Sequence, residues 1–221
     1  MNVGIIGSAV VGQTLGSKLV QLGHDVVIGT RDPQNLTEPR GMGGSLGDWL
    51  IANPGARVGT NAEAALHGEL VISATNGDGA LNALQLAGAE NLAGKVLIDV
   101  SNPLDFSKGM PPTLTVKDTD SLGEQIQRAF PNVKVVKTLN TMNCFVMVSP
   151  ESVPGDSTVF VSSDHADAKS TVRALLQSFG WTDIFDLGDL STARGTEMMM
   201  PVWLRMFMKL GPVPYNYKIV R

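Results

Sequence analysis

The chain opens on "NVGIIGSAVVGQTLG", an apolar run that feeds a glycine-rich turn and then a helical pattern. Gly7 and Gly12 stand at the first and third glycine positions of G-x-G-x-x-G, with Ala9 at the second. In such a loop the first glycine permits a tight turn and the third lets helix and strand pack closely. The backbone N–H groups of Ala9, Val10 and Val11, next to Ser8, then point at a diphosphate, helped by the positive end of the helix dipole. The methyl of Ala9 is tolerated where its φ is negative, so it shifts a bound dinucleotide slightly without excluding it. The expected chemistry is dinucleotide binding.

The end of the second apolar run decides which dinucleotide. An acidic residue there holds a ribose 2′-hydroxyl, whereas cationic and hydroxyl groups accommodate a 2′-phosphate. This chain presents Thr30, a hydroxyl donor, and Arg31, whose guanidinium can fork onto a phosphate. Asp32 stands one step further on, where it starts the turn before Pro33. NADP(H) is therefore favoured over NAD(H). Ligands in open α/β sheets lie outside the carboxyl ends of strands. That places Ala74, Thr75 and Asn76 beside the adenosine ribose and diphosphate, and Ser101, Asn102 and Pro103 near the nicotinamide.

General acid–base and metal machinery is not visible. There is no H-E-x-x-H, no paired His/Cys spacing and no G-x-S-x-G elbow. The three histidines, His24, His67 and His165, fall before a strand or in helix and cap regions. The only Tyr/Lys pairing near a Tyr-x-x-x-Lys is Tyr215 with Lys218, in the tail and at the wrong spacing. Hydride transfer between two organic rings fits this absence, because it needs chiefly positioning.

Strands alternating with helical stretches must position these residues. Strands are expected at Val3–Ile6, Asp25–Gly29, Arg57–Gly59, Leu70–Ala74, Lys95–Ser101, Val133–Leu139, Ser157–Ser162 and Thr182–Leu187. Their unbroken apolar runs belong to strands covered on both faces. Helices are expected at Val10–Leu22, Ser45–Asn53, Asn61–His67, and from an S-x-x-E capping box at Ser121 and Glu124 to Phe130. Another is capped by Asp164 and runs to about Phe179, and Leu190–Leu210 is helical with Pro201 kinking or dividing it. The fold class expected is α/β: one doubly wound, mainly parallel sheet of about eight strands with C-terminal helices across it. No linker or repeat divides the chain. A single domain over 1–221 is expected, with a nucleotide-binding core over 1–139 and a sheet extension plus helices over 140–221.

Composition bounds the class. Of 221 residues 43% are hydrophobic and 17% charged, enough for a full core. The net charge of −4 offers no field for nucleic acid or anionic lipid. A single cysteine, Cys144, excludes an internal disulfide framework and suits a reducing cytoplasm. No cationic leader precedes the first strand, and the most apolar stretch, "MMMPVWLRMFMKLGPVP", is broken by Pro201, Arg205 and Lys209. A cytoplasmic protein acting on a small redox acceptor, without nucleic acid or membrane, is expected. The methionines of this stretch with Trp203 and Phe207 could floor a flat ring pocket, or serve as core or as a homodimer interface.

"GIIGSAVVGQTLGSKLVQLGHDVVIGTRDP", "LIDVSNPLDF", "VVKTLNTMNC" and "LGDLSTARGTEMMMPVWLR" together resemble NADPH-dependent reductases of the deazaflavin coenzyme F-420 (F420). The first part is also similar to the intracellular part of the STEAP metalloreductases. The resemblance spans nearly the whole chain. It implies that nicotinamide and deazaflavin stack in a cleft between the sheet and the C-terminal helices. It further implies that Gly7–Gly12 hold pyrophosphate and that Thr30 and Arg31 hold the 2′-phosphate. Asn140, Thr141, Met142 and Cys144, with Arg194 and Glu197, would line the second-ring pocket. Two positions depart from the family pattern: Ala9, and Asn140, where archaeal members carry histidine. An acceptor such as FMN, FAD or a quinone stays open beside F420, as do a small imine or ketone and a redox sensor without turnover.

Overall fold

In the computed structural model, which describes residues 1–221, the apolar runs form β1 (Asn2–Ile6), β2 (Asp25–Thr30), β3 (Arg57–Thr60), β4 (Leu70–Ser73) and β5 (Val96–Asp99). A small antiparallel hairpin follows, β6 (Leu104–Asp105) with β7 (Thr113–Leu114). The sheet is completed by β8 (Lys134–Thr138), β9 (Thr158–Ser162) and β10 (Asp183–Gly188). Eight strands form one sheet in the order β10-β9-β8-β5-β4-β1-β2-β3. From β3 to β8 the pairs are parallel; β9 then turns antiparallel to β8, with Lys137 opposite Ser162, and β10 runs parallel to β9. The strand order reverses at β1, where β2 lies on one side and β4 on the other. That reversal opens the crevice in which doubly wound folds take ligands.

Helices cover both faces: α1 (Val10–Gln21), α2 (Leu46–Ala52), α3 (Asn61–His67), α4 (Gly77–Ala87), α5 (Ala89–Leu92), α6 (Leu122–Ala129), α7 (Cys144–Val148), α8 (Ala166–Ser178), α9 (Ala193–Met198) and α10 (Met200–Leu210). Val3, Ile5, Ile28 and Val136 pack with Leu15, Leu19, Trp49 and Trp181 on one face. Ile6, Val71, Leu97 and Val135 pack with Leu84, Ile126 and Phe130 on the other. Each such side chain, fully buried, contributes about 1.5–3 kcal/mol. A third, smaller cluster joins Leu114 of the hairpin to Met200, Trp203 and Leu204 of α10, with Tyr215 and Tyr217 of the tail against it. No helix is long and apolar enough to cross a membrane.

All eight expected strands form, and three local expectations are corrected. Helix α4 was not expected, because Asn76-Gly77 has the composition of a turn; it is instead the start of the helix, with Asn76 at the N-cap. Asp164 does not cap α8: His165 occupies the N-cap, and Asp164 Oδ1 accepts from the Leu190 N–H at 3.0 Å. The Ser121 hydroxyl accepts from the Glu124 N–H, but the Glu124 carboxylate turns to Arg194, so the box is only half formed. The reciprocal box lies at Thr60 and Glu63. Pro201, free of the need for an N–H at a helix start, divides α9 from α10.

Candidate active site

Gly7 adopts a φ of +125°, and a Cβ there would fall 2.5 Å from the Ala74 carbonyl oxygen. A Cβ on Gly12 would fall 1.9 Å from the Gly7 carbonyl oxygen, so α1 and β1 approach as closely as backbone allows. Ala9 is the N-cap of α1 with φ −85°, a conformation alanine takes without strain. It supplies no side-chain cap, and the first turn carries no acidic residue. The N–H groups that open α1 therefore lack protein acceptors and face the strand ends, ready for an anion. The residues fit a dinucleotide diphosphate.

A second loop completes the cradle. Gly43 packs its Cα against Val10, since a Cβ there would come within 2.7 Å of the Val10 nitrogen. The Gln13 amide nitrogen donates to the carbonyls of Ser8 at 3.0 Å and Gly44 at 3.3 Å, tying this loop to the turn. Arg40 donates to the carbonyls of Asp32 at 3.2 Å and Asn35 at 2.8 Å, which closes the loop beside the end of β2. Arg31 stands exposed there and enters none of the ion pairs of the chain. Thr30 beside it is 6% exposed. Together they would meet a 2′-phosphate, with the Arg31 guanidinium supplying the charge.

The ends of β4, β5 and β8 converge. The Thr75 hydroxyl is buried without a partner at the end of β4. Gly77 presses on the Asn102 carbonyl, which a Cβ would approach to 2.2 Å, so the Asn76 and Asn102 loops touch. Asn102 donates from its amide nitrogen to the Asn140 carbonyl at 2.8 Å. Asn140 donates from its own to Asn102 Oδ1 at 3.0 Å. Leu139 reaches Asn140 through a φ of +62°, a left-handed conformation that costs a bulky residue on the order of 1–3 kcal/mol. Strain of this kind gathers at functional sites, and here it turns the β8 end toward Asn102.

Not every expected residue faces this cleft. Met142 and Cys144 turn into the core beside Leu139 and Val146, and the Thr14 hydroxyl of α1 meets the Cys144 sulfur at 3.9 Å. Burial pushes the Cys144 thiol up, although the Thr14 hydrogen bond opposes this, so it is no thiolate at neutral pH. The Ser101 hydroxyl is committed to Asp99. Thr141 is 1% exposed. Arg194 forks onto Glu124, and Glu197 lies 1% exposed with its carboxylate on the N–H groups of Leu122 and Gly123. These two side chains fasten α9 to α6 instead of lining a ring pocket. Sequence reasoning named Asn102 and Asn140 separately but not the hydrogen bonds that pair them, and it missed Leu139.

Known proteins are similar to this chain in sequence and fold. Residues 2–103 match the family model for NADP oxidoreductase, coenzyme F420-dependent. A crystal structure from Arthrobacter sp. FB24, named for an F420-dependent NADP-reductase, is 51% identical, covers 100% of both chains and has a TM-score of 0.96. This chain belongs to the F420-dependent NADP oxidoreductase family. Within that family, the F420-dependent NADP reductase of Methanothermobacter marburgensis is 25% identical over 201 residues, 90% of this chain and 88% of its own. Metalloreductase STEAP3 of Rattus norvegicus is 30% identical over 206 residues, which is 91% of this chain but 37% of that protein. The chain thus spans under two fifths of the metalloreductase. As a member of the F420-dependent NADP oxidoreductase family it is an NADP-dependent oxidoreductase.

Proposed function

We propose that the protein transfers hydride between NADP(H) and coenzyme F420. The observation that carries this reading is the meeting, at the carboxyl ends of the central strands, of the α1 cradle with the Asn102–Asn140 pair, in a chain of this family. Bound NADPH supplies the hydride, so that NADPH, F420 and a proton yield NADP⁺ and reduced F420. The chain holds the two ends of the donor. Backbone N–H groups at Ala9, Val10 and Val11 bind the diphosphate, and Arg31 with Thr30 binds the 2′-phosphate. Ala74, Thr75 and Asn76 border the ribose. The amides of Asn102 and Asn140, fixed on each other, would border the nicotinamide, with Pro103 beside them.

No side chain need move a proton to the reacting carbon, which agrees with the burial of Cys144. Catalysis then rests on orientation and on water exclusion, and orientation alone can supply about 7–11 kcal/mol of a barrier. Purified protein offered NADPH with F420, FMN, FAD or a quinone tests the assignment. F420 should be reduced fastest, with NADPH preferred to NADH. Binding of NADPH without reduction of any acceptor would replace this reading with that of a sensor.

A further inference from the structure

From β4 across to β9 one row of the sheet, at the last residue of β4 and β5 and the penultimate residue of β8, is polar on the face that carries α6. Register pairs Ile6 with Ser73, Ser73 with Asp99, Asp99 with Lys137 and Lys137 with Ser162. Lys137 is 1% exposed, Asp99 0% and Glu197 1%. The Lys137 ammonium lies 2.8 Å from Asp99 Oδ2, 2.8 Å from Glu197 Oε1 and 2.6 Å from the Ser101 carbonyl oxygen. The ammonium thus donates to Asp99 and to the Ser101 carbonyl and is ion-paired with Glu197. Burial opposes the charge, yet the Asp99 and Glu197 carboxylates outweigh it and hold the ammonium above the ordinary lysine range.

Every partner of this cation leads to a wall of the cleft. Asp99 Oδ1 accepts from the Ser101 N–H at 3.1 Å and from its hydroxyl, fixing the end of β5 from which Asn102 projects. The Ser101 carbonyl is pinned directly by the ammonium. Glu197 belongs to α9, which continues through Met199 into α10 and its cluster with Leu114 of the hairpin. Its carboxylate also accepts from Leu122 N–H at 2.8 Å and Gly123 N–H at 3.1 Å, at the positive end of α6. Removing three ions from water costs several kcal/mol each, and apolar side chains of like volume are often as stable or more so. A buried ion triad beneath a site is therefore weak evidence of stabilisation, and holding geometry is the role left for it.

We propose that Lys137 is a positioning residue for hydride transfer, a single buried cation that sets the nicotinamide floor at Ser101–Asn102 against the acceptor-side helices through Glu197. This rests on the proposed function for what lies on either side of the cleft. In Glu197→Gln the Lys137–Asp99 pair stays balanced and one oxygen still faces α6, so the fold should survive. Lys137→Met is the harsher companion, and Glu197→Gln decides should it fail to fold.

The expected result for Glu197→Gln is an NADPH dissociation constant near that of the wild type with kcat toward F420 lowered about tenfold or more, as misplacement of reacting groups does. The emission maximum and lifetime of bound NADPH, which report the nicotinamide surroundings without any acceptor, should shift with it. A lower melting temperature alone, with wild-type NADPH emission and kcat, would overturn the proposal. Should the wild type itself fail to reduce F420, the proposed function falls, while NADPH emission in the variants still decides for or against the positioning role.

Discussion

The proposed function assigns the choice of dinucleotide to Arg31, one exposed guanidinium at the end of β2. Arg31→Ala should weaken NADPH by about 1.5–3 kcal/mol, the range for a hydrogen bond to a charged group, and leave NADH nearly unchanged. Fluorescence titration of both nucleotides measures this, and equal losses would contradict the 2′-phosphate role. Ala9→Gly should keep or modestly tighten NADPH, because φ at Ala9 is already −85° and only a methyl is removed. A large loss in the same titration would show that the diphosphate lies elsewhere. At this scale the spacing of Gly7 and Gly12 and the identity of Arg31 were legible in sequence, since backbone approach and charge each demand particular residue types. Met142, Cys144, Arg194 and Glu197 were not. Which way a side chain turns at a strand end is set by what packs there, as Thr14 against Cys144 and Lys137 against Glu197 show.

The tail offers a prediction about elements. The Tyr217 carbonyl accepts from the Thr158 N–H at the start of β9, the Ile219 N–H donates to the Thr158 hydroxyl, and Asp183 of β10 fastens Lys218 at 3.1 Å and Arg221 at 2.8 Å. A hydrogen bond from the Thr158 hydroxyl, working against burial and joined by Arg221 and Lys218, holds the Asp183 carboxyl down at about 2. Its contribution is complete above the ordinary aspartate range, near about 4, and is lost as pH falls from there toward about 2. The urea midpoint of the wild type should fall across that window, and Asp183→Asn should flatten this part of the profile. A profile unaltered by Asp183→Asn would contradict the fastening. The Thr60 capping box makes a plainer claim: Thr60→Ala should cost about 1 kcal/mol, read from the same denaturation. Strands were legible because buried parallel strands are apolar throughout. Helix α4 was hidden because Asn76-Gly77-Asp78-Gly79 has turn composition, and only packing of Gly77 on the Asn102 carbonyl explains why a helix starts there.

The whole molecule joins a nucleotide-binding half to a sheet extension through β8 and the antiparallel β9. Val3, Ile28 and Leu139 share one core with Val159, Leu176 and Trp181, so the two halves should melt together in a single calorimetric transition. NADPH at a hundred times its dissociation constant should raise that stability by about 2.7 kcal/mol, and two separate transitions would contradict the shared core. The continuity of the sheet was legible in sequence, because no linker composition interrupts it. The third cluster was less so, being assembled from the hairpin, α10 and the tail, whose association no local pattern encodes. The central claim is direct hydride passage from NADPH to the deazaflavin ring. The measurement is mass spectrometry of F420 after single turnover with NADPH deuterated at the nicotinamide C4 on either face. Deuterium from one face should appear, undiluted by solvent hydrogen, in the reduced F420. Reduced F420 that carries solvent hydrogen from both labelled donors, or no reduced F420 while NADPH is bound, would contradict it.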